Sequence, residues 1–172
     1  MFAALITIGT FIKIPVPMIP FTLQFLFTTL AGLFLGGTLG AISVSFYVLL
    51  GLFGVPVFAL GGGISYIVQP SFGYLIGFIV GSYLTGTIAH KSSMLSTRRL
   101  FIACFAGLGA VYLFGISYYW LISTFYLKNP IGIGALLLYG LVLAIPGDIL
   151  LCLFSVQIGR QMLPLIKKEL LS

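Results

Sequence analysis

Apolar residues fill this chain in long unbroken runs, and polar positions fall almost entirely in the short stretches between them. The first run, Phe2 to Ile12, stops at Lys13. Beyond it, from Ile14 to Pro20, Pro15, Pro17 and Pro20 forbid regular helix, so an extended loop is expected. A second span is expected from Thr22 to Leu35 and a third from Ala41 to Phe53, joined by a tight turn over Gly36 to Gly40. A glycine-rich, aromatic and uncharged loop from Phe58 to Gly73 leads into a fourth span, Phe72 to Ala89. A fifth covers Leu100 to Leu127, and the sixth lies in the uncharged run that extends from Ile131 to Ile158, broken only by Asp148. The runs are continuous rather than alternating, and most approach the roughly 20 residues a helix needs to cross a bilayer, so helices rather than strands are expected.

Two glycine ladders at four-residue spacing, Gly32-Gly36-Gly40 and Gly73-Gly77-Gly81, predict close helix contacts. The triple glycine Gly61-Gly62-Gly63 lacks the spacing and the following Lys-Ser/Thr of a phosphate cradle. It is expected in a loop folding back toward the bundle, where backbone can approach a ligand.

Composition agrees with this pattern. Of 172 residues, 60% are hydrophobic and only 6% charged, with mean hydropathy +1.25. Soluble domains carry about 25% charged residues. The expected fold is therefore an all-α integral membrane protein, a single bundle of six transmembrane helices over residues 1–172, in the cell membrane. Met1 to Ile12 has no basic n-region or cleavage site and reads as part of the first span rather than a removable signal.

The net charge of +6 does not indicate nucleic acid, because the cations flank apolar runs instead of gathering on one surface. Lys91, Arg98, Arg99, Arg160, Lys167 and Lys168 fall on one side of the alternating loops, and Lys13 and Lys128 on the other. This asymmetry places both termini in the cytoplasm and the proline-rich and glycine-rich loops outside.

Asp148 is the sole carboxylate among the first 168 residues. At mid-membrane such a group costs roughly 2.5 to 3.5 kcal/mol on insertion scales, and it usually faces protein or a cavity. Gly140, Ala144, Cys152 and Ser155 share its helical face, which predicts that it points inward. Pro146 and Gly147 are expected to kink or open the helix just before it. The remaining chemistry is sparse. Cys104 and Cys152 read as reduced packing residues, His90 as an interfacial residue, and the aromatic crowd Tyr112, Phe114, Tyr118, Tyr119, Trp120, Phe125 and Tyr126 as an interfacial belt. Nothing forms a catalytic set, a metal site or a nucleotide site, so neither enzyme activity nor a cofactor is expected. What remains is recognition: a carboxylate accepts paired N–H groups, as on a urea or amidine edge, and apolar walls suit a largely hydrocarbon ligand. Thr22, Gln24, Phe58, Tyr66 and Tyr74 are the expected walls around Asp148.

Several blocks occur in a telling order: Ile14-Pro15-Val16-Pro17, Pro20-Phe21-Thr22-Leu23-Gln24, Leu30-Ala31-Gly32-Leu33-Phe34-Leu35-Gly36, Gly51-Leu52-Phe53-Gly54-Val55-Pro56-Val57-Phe58, Gly73-Tyr74-Leu75-Ile76-Gly77-Phe78 and Pro146-Gly147-Asp148. In this the chain resembles the BioY family, biotin-specific membrane subunits of energy-coupling factor importers. The resemblance implies six helices and capture of biotin from the outer face. It also implies partnership with a transmembrane coupling protein and two cytoplasmic ATPases, within membrane lipid. It further implies that Asp148 contacts the ureido ring, that Ile14 to Phe21 acts as a lid, and that the binding subunit topples to release its ligand. Family members commonly carry Lys three positions after this acid, where this chain has Leu151. Lys13 or backbone amides of the glycine-rich loop are the alternatives for holding the ligand carboxylate. The small-residue docking patch on the first helix is reduced to Ala3 and Thr7. Apart from the resemblance, two other readings stay open: a stand-alone proton-coupled carrier with Asp148 as protonation site, and a purely structural membrane protein.

Overall fold

A computed structural model describes residues 1–14, 21–92, 96–128 and 131–170, with side chains for all of these except 14 and 166–170. The architecture is all-α. Helix α1 (Phe2–Phe11) is followed by a minimal antiparallel ribbon, β1 (Lys13–Ile14) with β2 (Phe21–Thr22), pairing Lys13 with Thr22 and Ile14 with Phe21. Then come α2 (Gln24–Leu35), α3 (Gly37–Leu52), a 3-10 turn at Ile64–Val68, α4 (Phe72–Ala89) and α5 (Thr97–Leu121). Helix α5 continues as a π-turn over Ile122–Tyr126. A short α6 (Ile133–Leu137) leads through a second π-turn, Leu138–Val142, into α7 (Ile145–Leu170). Most of the proline loop, residues 15–20, lies outside the described residues, and with it most of the expected lid.

Helix α4 occupies the centre, packed against α2, α3 and α5, while α7 closes the bundle against α2 and α5. The glycine ladders make this possible. A Cβ on Gly77 would sit 2.8 Å from Val111 Cα, and one on Gly81 would sit 2.9 Å from the Gly107 carbonyl, so α4 and α5 approach backbone to backbone. The fully buried core includes Ile6, Leu33, Val44, Tyr47, Leu100 and Cys104, and Cys152 is buried as well, consistent with packing roles for both cysteines. Large apolar side chains such as Ile42, Phe46, Leu49, Leu113 and Phe154 are exposed, a face suited to hydrocarbon rather than water.

Among the described residues, three segments are long and apolar enough to cross a membrane: Phe72–Ala89, Thr97–Tyr126 and Ile133–Leu165. The apolar helices Phe2–Phe11, Gln24–Leu35 and Gly37–Leu52 are shorter. At 1.5 Å per residue, α1 extends about 15 Å, half of a hydrocarbon core.

The expected fourth span agrees residue for residue with α4. The turn expected over Gly36 to Gly40 contracts to one residue. Gly36 alone, at φ 83, reverses the chain, and α3 starts at Gly37 rather than Ala41. The glycine-rich loop folds back as expected: Phe58 and Tyr66 are buried, and Phe58 and Gly61 exchange backbone hydrogen bonds.

Candidate functional site

The helix leading to Asp148 is interrupted just upstream, by the π-turn over Leu138–Val142 and a turn at Leu143 and Ala144. There the Ala144 N–H bonds to Leu141 O at 3.1 Å, and the Gly140 carbonyl instead accepts the Tyr74 hydroxyl, 2.7 Å away. Pro146 falls in the first turn of α7, where its missing N–H costs no helical bond. Asp148 also lies in that first turn, and its N–H bonds to Ala144 O at 3.0 Å. The break thus places a carboxylate at a helix N-terminus inside the bundle, where the peptide dipoles favour negative charge.

Asp148 is 9% exposed, and the small face expected around it is real: Gly140, Cys152 and Ser155 are buried and Ala144 half-buried. From α5 the Tyr112 hydroxyl donates to Asp148 Oδ2 at 2.5 Å. Tyr112 is held in turn by Tyr74, with ring centroids 6.5 Å apart in an edge-on arrangement. This corrects the aromatic belt expected from the sequence. Phe114, Trp120, Phe125 and Tyr126 are exposed, but Tyr112 and Tyr119 are buried, and Tyr118 ties the loop to α5 through a 2.6 Å bond to Ile67 O.

These residues wall a cavity of about 660 Å³, counting its open mouth. Thr22, Gln24, Tyr66, Tyr74 and Asp148 all line it. Phe58 does not. It stands behind Tyr66 with ring centroids 4.5 Å apart, and edge-on to Tyr47 at 5.6 Å, so it supports the wall rather than forming it. Phe25, Phe78, Tyr112 and Tyr139 add aromatic surface that the sequence reading did not assign to the site, and Phe21, the last residue of the expected lid, lines it too.

The wall formed by Thr22 and Gln24 is pinned by hydrogen bonds. Thr22 Oγ1 donates to Gln24 Oε1 at 3.0 Å, Gln24 Nε2 donates to the Tyr47 hydroxyl at 2.6 Å, and that hydroxyl donates to Val57 O at 2.9 Å. Thr10 Oγ1 is 3.0 Å from the same hydroxyl. Gln24 is therefore fixed at both ends of its amide, a rigid polar post in an aromatic wall. In the loop, burial pushes the Tyr66 hydroxyl above the usual tyrosine pKa, opposed by the hydrogen bond from Ser71. At the cavity's edge the Phe21 ring lies over Gly147, where a Cβ would come within 2.6 Å of it. Leu151, one turn beyond Asp148, is buried and outside the cavity wall. The arrangement has one acid, a few fixed polar groups and much aromatic surface. Chemically, such a set can accept N–H donors and cover apolar surface.

Residues 1–168 match the sequence model of the BioY family. The chain is 38% identical over 162 residues to the probable biotin transporter BioY of Lysinibacillus sphaericus, covering 94% of this chain and 83% of that one. It is 43% identical over 116 residues to the biotin transporter BioY of Thermotoga maritima, covering 67% and 68%. Its fold is similar to a crystal structure of the S-component for biotin from an ECF-type ABC transporter, with a TM-score of 0.79 at 30% identity over 94% of this chain and 86% of that one.

Proposed function

The chain belongs to the BioY family, and on that premise we propose that it captures biotin in the cavity walled by Asp148, as the membrane-embedded binding subunit of an importer. This is transport, not catalysis. One observation carries the reading: the carboxylate at the start of α7 faces a cavity whose other walls, among the described residues, are aromatic, aliphatic or neutral. Biotin presents two N–H groups on a cyclic urea, which a carboxylate accepts, fused to a thioether ring that suits aromatic walls. In this reading Thr22, Gln24, Tyr66 and Tyr74 contact the ligand together with Asp148 and Tyr112, and Phe58 backs Tyr66.

We read residues 1–172 as one domain, with six helices crossing the cell membrane and both termini in the cytoplasm. Several contacts support this. Phe2 packs on Phe34, His90 Nε2 is 2.7 Å from Leu33 O, and Gly159 lies beside Leu100. The start of α1, the ends of α2 and α4 and the late turns of α7 therefore meet at one end of the bundle. Lys91, Arg98, Arg99 and Arg160 adjoin those ends, while Lys13 follows the opposite end of α1 and is hydrogen-bonded to Ala59 of the cavity lining. The excess of cations fits a cytoplasmic face.

The sequence holds no nucleotide-binding motif, so ATP hydrolysis falls to partner chains: a transmembrane coupling protein and two cytoplasmic ATPases. Reconstitution in lipid vesicles with and without such a coupling module tests this. Biotin uptake that requires both ATP and the module is expected. Uptake driven by a pH gradient with this chain alone would overturn the reading in favour of a proton-coupled carrier.

A further inference from the structure

The cavity is electrically one-sided. Its lining includes one acid, Asp148, and no cationic side chain among the described residues. Biotin has two polar ends, and the carboxylate on its valerate arm lies several bonds away from the urea. A ligand gripped by Asp148 at one end would leave its own anion unmatched by any lining residue, and burying or half-burying an unpaired carboxylate is costly. The position one turn after Asp148 offers no remedy, because Leu151 is apolar, buried and outside the wall.

One described cation reaches the cavity's edge. Lys13 pairs through β1 with Thr22, and its Nζ donates to Ala59 O at 3.0 Å. Thr22 and Ala59 both line the cavity, on the ribbon and on the glycine-rich loop respectively. Lys13 thus bridges two segments of the rim with its ammonium group exposed. An ammonium has three N–H donors, and Ala59 O engages one, leaving two that no other described residue takes. Lys91, Arg98 and Arg99 surround a separate shallow pocket beside Ile88 and Ile102, at the far end of α4, and Lys128, unlike Lys13, has no hydrogen bond to a lining residue among the described ones.

We propose that Lys13 is the cation that binds the ligand's carboxylate, so that the site selects the free acid and discriminates against its esters and amides. Asp148 then reads the N–H edge and Lys13 reads the anionic arm, with the aromatic walls between them. The hydrogen bond to Ala59 O holds the exposed ammonium against the loop that contributes Ala59 to the cavity lining. The proposal rests on the biotin reading above and names the group that recognises the opposite end of the same ligand.

The test compares biotin with biotin methyl ester, which keeps the urea and lacks the charge, by calorimetry on the purified full chain and on Lys13→Gln and Lys13→Arg. Wild type is expected to prefer the acid by roughly tenfold, a typical value for a single partly exposed charged hydrogen bond. Lys13→Gln should lose that preference by weakening acid binding alone, and Lys13→Arg should restore it. Because the readout is a ratio within one variant, partial loss of folded protein cancels. If biotin binds wild type but Lys13→Gln weakens acid and ester equally, Lys13 is only a staple for Ala59 and the proposal falls. If wild type binds biotin and its ester equally well, the proposal also falls while the biotin reading stands. If wild type binds neither compound, the biotin reading itself is overturned and this proposal with it.

Discussion

The Tyr112 hydroxyl donates to Asp148 Oδ2 at 2.5 Å, joining α5 to the first turn of α7. Neither partner is at the surface, and the bond fixes how the carboxylate faces the cavity that both residues line. A carboxylate that is already oriented loses less freedom when a ligand arrives. Tyr112→Phe keeps the ring and its edge-on contact with Tyr74 while removing that donor. Biotin affinity should fall by about tenfold, near the lower end for a hydrogen bond to a charged group, and the ligand-free melting temperature should fall as well, because the buried carboxylate loses its described donor. Calorimetry and a thermal melt in the same detergent check both halves.

Tyr74 performs a different task one layer away. Its hydroxyl satisfies the Gly140 carbonyl where the π-turn interrupts the helix. Tyr74→Phe leaves that buried acceptor without its described partner, which costs about 1 to 3 kcal/mol. The expected outcome is a lower melting temperature, together with weaker biotin binding because Ala144 and Asp148 are positioned by the same break.

Gly147 tests the contact across the cavity's edge. A methyl group there meets the tip of the Phe21 ring, which must swing away. Alanine is also the better helix former by about 1 kcal/mol. Gly147→Ala should therefore weaken biotin binding while leaving the melting temperature unchanged or slightly raised, a split that separates displaced ligand contacts from general damage.

The interface of α4 with α5 makes the opposite prediction. At Gly77 the atoms a Cβ would meet are Val111 backbone atoms, which cannot rotate aside. Gly77→Val should force the helices apart and destabilise the fold by about 1 to 3 kcal/mol, measured as a lowered melting temperature with or without ligand.

Much of this fold is legible in the sequence because the bilayer dictates it. Phe72 to Ala89 is an apolar run closed by Pro70 and Ser71 before it and by His90 and Lys91 after it, and α4 has those bounds. Glycines are harder to read, since one residue type serves two purposes. Gly36 turns the chain with a positive φ, whereas Gly37 and Gly40 are helical and make room for neighbouring backbone, and spacing alone does not separate these uses. Asp148 stood out as a lone charge, and its small-residue face located the inward side. Tyr112 was missed because an aromatic cluster near a span's end reads as an interfacial belt. The signal existed in the periodicity. Cys104, Leu108, Val111, Tyr112, Gly115 and Tyr119 follow helical spacing along one buried face, opposite exposed Phe105, Leu113 and Trp120. Phe58 went wrong the other way, since nearness in sequence to a loop that lines the cavity does not decide which side of that loop a ring takes.

The most direct measurement is biotin binding by the purified protein and by Asp148→Asn. The amide keeps an acceptor of nearly the same shape and removes the charge, so affinity should drop by roughly 1.5 to 3 kcal/mol from a wild-type Kd well below micromolar. Wild-type binding at micromolar or weaker, or an Asp148→Asn variant that binds as tightly as wild type, would contradict the account.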